Sequence, residues 1–397
     1  MTRKSIYLPG PARQDSSQHQ LVPDAAVRGE FLFTSGIAGY DAAGQLPETN
    51  EAQAGEIYRR MMEILQTAGY STEEVGHFFV WALERHPVIG GKVTKFINPY
   101  WEKMFPDIRS RPARHVLGRV LDPGQHYKLE ITATKNAKRT SYEINDEVYH
   151  TGGSTTKGYM PFGITIGKYL YTGPTYGMTL KGRKMGDTHA EQAKLCAICN
   201  DEFYRMAGQS ADNLAHMFIW YHDAAGKQAA VDYTEIMFPD RNDRPAIHYL
   251  KSHLPFWHEV NGQFWIQYDN TGVGGERRKS ITPQGVRVLD GEGGRVPAGV
   301  AMGNTLFTSV ITGSGSVEAQ AREAFRGARA VVEAGGFDWR DVGHVYVWYD
   351  DHAHRDVIDK VWVECFPDMA ERPARNSILE PEMPAGTSVG IELRAAR

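Results

Sequence analysis

The sequence predicts an α+β fold in which three tandem units, each of the order β-β-α-β-α-β-β, associate as a trimer-like barrel within one chain, with the helices outside. A strand motif, a Phe-Pro-Asp motif and an amphipathic helix each occur three times, in a similar arrangement. Such self-similarity is the signature of repeated structural units. A sheet with helices on one side needs cover on its other face, and three sheets can cover one another around an axis.

The strand motif is a run of β-branched and aromatic residues that ends in Trp. It reads VGHFFVW, LAHMFIW and VGHVYVW at residues 75–81, 214–220 and 342–348. Phe-Pro-Asp follows each copy, beginning at Phe105, Phe238 and Phe366. An Arg-Pro-Ala comes next, at Arg111, Arg244 and Arg372, and its presence in all three units favours a structural role. The nearly equal spacing of these motifs indicates three copies of one unit.

A helix is predicted before each strand motif. In the first unit, apolar residues such as Ile57, Met61 and Ile64 recur at three- and four-residue steps, which indicates one buried stripe. Equivalent glutamines mark the three helices, and glycines suited to a helix C-cap end them: Gln53 and Gly69, Gln192 and Gly208, Gln320 and Gly336. The predicted units span residues 20–135, 152–270 and 295–397, with linkers near residues 136–151 and 270–294.

Composition narrows the function classes. A formal net charge of −4 gives no general attraction for nucleic acids or anionic lipids, so neither is expected as a partner. The sequence shows no signal peptide and no apolar run long enough to span a membrane, which favours the cytoplasm. Of three cysteines, Cys196 and Cys199 form a C-x-x-C on the predicted helix, and core packing is the favoured interpretation.

The first unit contains, in order, FTSG at residues 33–36, a helix ending in Gln-Thr-Ala-Gly, Pro-Ala-Arg at 112–114 and Lys-Leu-Glu-Ile at 128–131. This ordered set resembles the RidA/YjgF family of imine and enamine deaminases, and the likeness extends over all three units. The resemblance implies a chorismate-mutase-like fold, homotrimeric in the family, with ligand clefts between subunits. Here three units of one chain would replace the subunits, giving a pseudo-trimeric monomer whose further homo-oligomerisation is left open.

The resemblance also implies the site residues. In the family the arginine of Pro-Ala-Arg binds the substrate carboxylate, and a glutamate on the last strand is proposed to position the attacking water. The matching residues are Arg114 with Glu130 in unit 1, and Arg375 with Glu392 in unit 3. A guanidinium holds a carboxylate through two parallel hydrogen bonds, and a nearby carboxylate can accept a proton from water. This chemistry requires neither a metal nor an organic cofactor.

Several residues refine this site. Gly36 in the FTSG turn is expected to let a ligand approach the backbone, and Val310 at the equivalent position of unit 3 would crowd it. His115 is a candidate to touch the ligand or set its protonation. Unit 2 departs from the pattern with Ile247 in place of the arginine and, by alignment, Gln267 in place of the glutamate. Its own carboxylate site is expected to be lost.

One histidine recurs at the same strand position in all three units, as His77, His216 and His344. Three imidazoles around an axis could hold a metal ion if they pointed inward. The favoured interpretation is a hydrogen-bonded or half-exposed histidine in each unit.

The predicted activity is a cofactor-independent hydrolysis of a carboxylate-bearing imine, enamine or 2-amino-dienoate to an oxo or hydroxy acid and ammonia. Resemblance to 2-aminomuconate deaminases makes a 2-aminomuconate-like intermediate of aromatic degradation an attractive substrate. One alternative is a regulatory protein that binds a metabolite without turnover. A second alternative is RNA cleavage, which the acidic net charge disfavours.

Overall fold

The structure is a computed structural model that describes residues 3–8, 21–83, 93–143, 160–180, 184–251 and 266–397. These residues form three β-sheets and six α-helices. The first sheet consists of β1 (Lys4–Ile6), β2 (Ala25–Arg28), β3 (Phe31–Thr34), β4 (Ile37–Ala38), β5 (Val75–Leu83), β6 (Ala113–Arg119) and β7 (Tyr127–Thr134). The second consists of β8 (Arg139–Tyr142), β9 (Gly163–Ile166), β10 (Tyr169–Thr172), β11 (Thr175–Tyr176), β12 (Leu214–Tyr221), β13 (Ala246–Lys251) and β14 (Ile266–Val273).

The third sheet consists of β15 (Lys279–Ile281), β16 (Arg287–Val288), β17 (Gly299–Met302), β18 (Thr305–Thr308), β19 (Ile311–Thr312), β20 (Val342–Tyr349), β21 (Ala374–Leu379) and β22 (Val389–Ala396). Two helices accompany each sheet: α1 (Asn50–Ala68) and α2 (Val93–Met104), α3 (His189–Met206) and α4 (Ala224–Met237), α5 (Val317–Ala334) and α6 (Arg355–Cys365). We refer to each sheet with its helices as units 1, 2 and 3. No helix in the described part of the chain has the length and apolarity needed to cross a membrane.

The three sheets share one connectivity. The last long strand of each unit (β7, β14, β22) lies in the centre and pairs antiparallel with the strand that carries the Trp motif (β5, β12, β20). That strand pairs in parallel with β6, β13 or β21 at the edge. The hairpins β2–β3, β9–β10 and β17–β18 lie on the other side of the central strand. The predicted order of elements is therefore present in each unit.

Each sheet also extends beyond the predicted unit boundaries. The strands β1, β8 and β15 lie before residue 20 or in the predicted linkers, and each pairs with the first hairpin of its sheet. An arginine in or directly before each of these strands donates a hydrogen bond to a backbone carbonyl in another unit, at the start of the strand that carries the Trp motif. The Nη1 donors and carbonyl acceptors are Arg3 and Val342 at 2.6 Å, Arg139 and Val75 at 2.6 Å, and Arg278 and Leu214 at 3.3 Å. Each pair of units is therefore joined by an equivalent contact.

The helices cover one face of each sheet. Helix α1 begins after Thr49, whose side chain accepts a hydrogen bond from the Ala52 amide, and ends at Gly69, whose φ of 73° suits glycine. Gln53 is buried and joins this helix to the loop before β7: its Nε2 donates to the Gly124 carbonyl at 2.8 Å. The recurring glutamine thus has a structural role in unit 1.

The opposite faces of the three sheets bury one another through aromatic side chains. The Phe79 and Phe218 ring centroids lie 6.0 Å apart, and Phe218 lies 5.8 Å from Tyr346. The motif tryptophans also meet, with Trp81 at 6.0 Å from Trp220 and 6.4 Å from Trp348. Aromatic packing of this kind buries large apolar areas. The faces left uncovered by helices therefore meet in a common core.

The recurring arginine of Arg-Pro-Ala fixes the turn that follows Phe-Pro-Asp. Its Nε donates to the carbonyl of the motif Phe in every unit, from Arg111 to Phe105 at 2.9 Å, from Arg244 to Phe238 at 2.8 Å and from Arg372 to Phe366 at 2.8 Å. The contact supports the structural role predicted for these arginines.

Candidate functional site

Strand register identifies the equivalent carboxylates. Across the central strand pair, Glu130 lies opposite Phe79, Asp269 opposite Phe218 and Glu392 opposite Tyr346. Unit 2 therefore has an acidic residue, Asp269, at this position, and the predicted equivalence of Gln267 is wrong. Because side chains alternate along a strand, residues two apart face the same side, so the pattern alone does not separate Gln267 from Asp269.

Each of these carboxylates faces a histidine of a different unit. Nε2 of His77 lies 3.6 Å from Asp269 Oδ1, that of His216 lies 2.8 Å from Glu392 Oε1, and that of His344 lies 3.8 Å from Glu130 Oε1. The three histidines therefore do not converge on one another. They mark three interfaces, which we call 1/2, 2/3 and 3/1 after the units that meet there.

This arrangement separates the arginine and glutamate of one unit. Arg375 shares the 3/1 interface with Glu130, whereas Arg114 lies in the 1/2 interface with Asp269. Glu392 lies in the 2/3 interface, where the residue equivalent to the arginine is Ile247. The expected pairs, Arg114 with Glu130 and Arg375 with Glu392, are therefore not brought together. In each interface the arginine position belongs to one unit and the carboxylate to another.

The 3/1 interface contains an open cleft. It encloses about 500 Å³ of space that no protein atom fills, part of it continuous with solvent. Its polar wall consists of Ser35, Gly36, Asp122, Gln125 and Lys128 of unit 1 and Arg355, Arg375, Asn376 and Ser377 of unit 3. Lys128, Arg355 and Arg375 carry a positive charge and Asp122 a negative one. Arg355 pairs with Asp122 and Arg375 with Asp359, so a small excess of positive charge remains for an anion.

Arg375 is held beside this cleft with part of its guanidinium unsatisfied. Its backbone amide donates to Ser35 Oγ at 2.8 Å, its guanidinium lies over the Trp362 ring, and its Nη2 is 2.6 Å from Asp359 Oδ1. Nε and Nη1 are buried and make no hydrogen bond within the described residues. Unsatisfied guanidinium donors at a cleft wall are suited to a carboxylate ligand.

Gly36 lies where a side chain would close the cleft. An added Cβ would lie 2.4 Å from Lys128 Cδ and 2.7 Å from Asn376 Oδ1. The equivalent residues, counted from the preceding threonine, are Pro174 in unit 2 and Val310 in unit 3. Of the three turns, the one at the 3/1 interface alone therefore combines a serine with a glycine.

Glu130 is buried behind the cleft wall. Its Oε2 accepts a hydrogen bond from Asn376 Nδ2 at 2.8 Å, and its Oε1 accepts one from the Tyr346 hydroxyl. Burial raises the pKa of this carboxyl, and the charge of Arg394 opposes that rise. A carboxyl shifted in this direction exchanges protons closer to neutral pH than an exposed one. Asn376 lies on the cleft wall and connects the cleft to Glu130.

In the 1/2 interface, Arg114 is enclosed by other side chains. Its guanidinium lies over Trp101, its Nη2 donates to Asn98 Oδ1 at 3.0 Å, and its Nε donates to Met160 Sδ at 3.2 Å. His115 does not join Gly36: its Nε2 lies 3.0 Å from the Thr172 carbonyl oxygen and 3.2 Å from Asp269 Oδ1. Arg114 and His115 therefore lie away from the open cleft.

In the 2/3 interface, Glu392 is bound by two histidines. His216 Nε2 lies 2.8 Å from one carboxylate oxygen and His248 Nδ1 lies 2.9 Å from the other. Although burial opposes ionisation, these hydrogen bonds and charges lower the pKa of Glu392 to about 2. Unit 2 also lacks the tryptophan that packs against the arginine in units 1 and 3. Thr234 stands at that position, four residues before Phe238.

Lys128, Arg355, Asn376 and Tyr346 were not predicted as site residues. Lys128 belongs to the Lys-Leu-Glu-Ile motif, and Asn376 directly follows Pro-Ala-Arg in unit 3, so both lie beside residues that the sequence did identify. Cys196 and Cys199 are buried, and burial raises the pKa of the Cys196 thiol well above its ordinary value. That shift accords with core packing and disfavours a reactive thiolate.

Comparisons with known proteins agree with this architecture. A family model described as endoribonuclease L-PSP matches residues 297–397. Over most of the chain the fold is similar to a crystal structure of chorismatase, with a TM-score of 0.51, 15% identity, 82% of this chain and 93% of the other covered. No curated protein sequence matches the chain.

Single-unit proteins resemble about a third of the chain. The Escherichia coli protein TdcF, solved with bound serine, has a TM-score of 0.28 and 25% identity, covering 30% of this chain and 98% of the other. RidA from an Antarctic Psychrobacter species has a TM-score of 0.28 and 24% identity, covering 30% and 99%.

Proposed function

The chain belongs to the RidA/YjgF family through residues 297–397, and from this premise we propose that it is a cofactor-independent deaminase whose working site is the cleft at the 3/1 interface. One observation carries the proposal. At this interface the unsatisfied guanidinium donors of Arg375, the open turn at Gly36 and the buried carboxyl of Glu130 come together from two units. Neither of the other two interfaces brings together all three features among the described residues.

We infer that the three units are tandem copies arranged as a pseudo-trimer. The recurring motifs, the shared strand order and the equivalent contacts of Arg3, Arg139 and Arg278 support this inference. Differences between the copies then have a simple explanation. In a homotrimer every cleft is the same, whereas in a single chain two clefts are free to lose their function and gain packing contacts.

The proposed reaction is hydrolysis of a C=N bond next to a carboxylate. Arg375 binds the substrate carboxylate, and Gly36, which carries no side chain, leaves room beside its turn for the reacting carbon. Water adds to the protonated imine carbon while Glu130, whose carboxylate is positioned by Asn376, accepts a proton directly from that water. Glu130 then returns its proton to the amino nitrogen and takes up the hydroxyl proton as the C–N bond breaks, so that ammonia leaves and a carbonyl group remains. An enamine substrate first takes a proton on carbon to give the same imine.

We expect the substrate to be a small imino or enamino acid or a 2-amino-dienoate similar to 2-aminomuconate. The excess of positive charge at the cleft wall supports an anionic substrate. A metabolite-binding protein without turnover is the alternative, and it needs the same arginine but no proton acceptor. The two functions therefore differ in their dependence on Glu130.

The test compares Glu130→Gln with Glu392→Gln. Ammonia release is measured with 2-aminoacrylate, branched-chain imino acids and 2-aminomuconate, each generated in the assay. The proposal predicts that Glu130→Gln lowers kcat by roughly 100-fold or more with little change in binding of the oxo-acid product, whereas Glu392→Gln retains most of the turnover. Binding of the oxo acid without any ammonia release by the unmodified protein would favour the metabolite-binding alternative.

A further inference from the structure

The 1/2 interface contains a buried carboxylate that is unlike its two counterparts. The two oxygens of Glu392 lie 2.8 and 2.9 Å from histidine nitrogens, and both oxygens of Glu130 accept hydrogen bonds, from Tyr346 and Asn376. The two histidine nitrogens that face Asp269 Oδ1 lie at the longer distances of 3.2 and 3.6 Å, and the side chain is 2% exposed. A buried carboxylate in this condition is costly unless another charge compensates it.

Two histidines from unit 1 face this carboxylate. His77 Nε2 lies 3.6 Å and His115 Nε2 lies 3.2 Å from Asp269 Oδ1, and ligand atoms of all three side chains lie within 4.8 Å of one another. The Thr172 carbonyl oxygen lies 3.0 Å from the same His115 nitrogen. Two imidazole nitrogens and a carboxylate oxygen thus lie close together between the units, with the Thr172 carbonyl oxygen beside His115.

These separations match the edges of a metal coordination shell. Histidine nitrogens and carboxylate oxygens bind zinc at about 2.0–2.2 Å, so neighbouring ligands of a tetrahedral ion lie about 3.3 Å apart. The equivalent nitrogen–oxygen distances at Glu392 are 2.8 and 2.9 Å, the lengths of direct hydrogen bonds. Aspartate is one methylene shorter than glutamate, and the wider separation in the 1/2 interface follows from this difference.

We propose that His77, His115 and Asp269 bind a divalent transition-metal ion of the zinc type, with the Thr172 carbonyl oxygen completing the shell. The ligand set of imidazole, carboxylate and carbonyl suits zinc or cobalt better than magnesium or calcium, which take oxygen ligands. The ion joins a strand pair of unit 1 to the central strand of unit 2. Its role is structural, since these side chains are buried and Arg375 and Gly36 lie in a different interface.

Binding requires a redistribution of one proton. His115 Nε2 now lies at hydrogen-bonding distance from the Thr172 carbonyl, and coordination through this nitrogen requires its proton to move to Nδ1 or to leave. Nδ1 of His115 is buried and makes no hydrogen bond to a described residue.

The decisive variant is Asp269→Glu, because glutamate occupies the equivalent position in both other units and is therefore compatible with the fold. The longer side chain is expected to close onto the two histidines as Glu392 does and to exclude the ion. His248→Gln is the matched control, since it removes a buried histidine from the 2/3 interface. The full-length protein is produced in medium containing zinc, or cobalt in place of zinc, so that a buried site is loaded during folding.

Metal per chain is measured by plasma mass spectrometry after gel filtration, and the cobalt form is examined by visible absorption. We expect one ion per chain and the intense absorption bands of four-coordinate cobalt in the unmodified protein and in His248→Gln. Asp269→Glu and His77→Gln are expected to lose metal by roughly tenfold or more. The proposal is overturned if the unmodified protein holds no more metal than Asp269→Glu, or if His248→Gln loses it equally. Circular dichroism of each variant verifies that the comparison is made on folded protein.

Discussion

The amide of Asn376 donates a hydrogen bond to the carboxylate of Glu130 across the interface between units 3 and 1, with Nδ2 and Oε2 2.8 Å apart. Asn376 follows Arg375 in the chain, so one strand presents the anion-binding guanidinium and the partner of the buried carboxyl. The equivalent residues, His115 and His248, lie near Asp269 and Glu392 instead. An asparagine at this position, where the other two interfaces have a histidine, thus distinguishes the open cleft from them.

Arg375→Lys is expected to impair substrate binding selectively. A lysine cannot offer a carboxylate two parallel hydrogen bonds, so kcat/KM for ammonia release should fall by roughly 10- to 100-fold. Arg114→Lys is the control, because Arg114 is buried against Trp101 and Met160 and its loss should affect thermal stability more than turnover. Equal loss of kcat/KM in both variants at matched folding would contradict the assignment of one working cleft.

Gly36→Val should close the cleft by reproducing the residue found in unit 3. The first added carbon would contact Lys128 Cδ and Asn376 Oδ1, so we expect kcat/KM to fall by roughly 10- to 100-fold. Gly69→Ala, at the end of α1 with a φ of 73°, should lower the melting temperature without changing KM. An unchanged KM in Gly36→Val would show that substrate does not approach this turn.

Replacing Glu130 is expected to lower the deaminase activity without lowering the free energy of unfolding. Burial raises the pKa of this carboxyl above its ordinary value, so the folded protein binds a proton more readily than the unfolded chain, and stability declines as pH rises through that window. Glu130→Gln removes this decline. Urea unfolding between pH 4 and 8 should therefore show a flatter pH dependence for the variant than for the unmodified protein, and a steeper one would contradict the assignment.

Glu392 should contribute to acid stability. Its pKa, lowered to about 2 in the folded protein by His216 and His248, means that the contribution is present above the ordinary carboxyl pKa and is lost as pH falls towards about 2. The shift corresponds to roughly 3 kcal/mol, as an order of magnitude. Glu392→Gln should therefore be less stable at pH 7 and lose less further stability on acidification. The exposed Glu318, paired with Arg322 at the surface, provides the control: Glu318→Gln should change stability little.

The sequence predicts the elements of this fold well because their signals are local. Runs of β-branched and aromatic residues identify β5, β12 and β20, and the three- and four-residue steps of Ile57, Met61 and Ile64 identify α1. The first strands β1, β8 and β15 were missed because they are only three or four residues long and lie in polar segments. Their pairing depends on contacts with a hairpin that follows later in the chain.

The site was predicted only in part, because it is built between units. Gly36, Glu130 and Arg375 were each identified, but which arginine meets which glutamate depends on the order of the units around their common core. Nothing local in the sequence encodes that order. The acidic residue of unit 2 was missed because Gln267 and Asp269 face the same side of β14, and only the register with β12 separates them.

The most direct test of the proposed site is a crystal structure of the protein soaked with a 2-oxo acid, the carboxylate product of the proposed reaction. We predict that its carboxylate is bound by Arg375 beside Gly36, with Asn376 within hydrogen-bonding distance of the oxo oxygen. A 2-oxo acid bound at Arg114 in the 1/2 interface, with the cleft between units 3 and 1 holding none, would contradict the central claim.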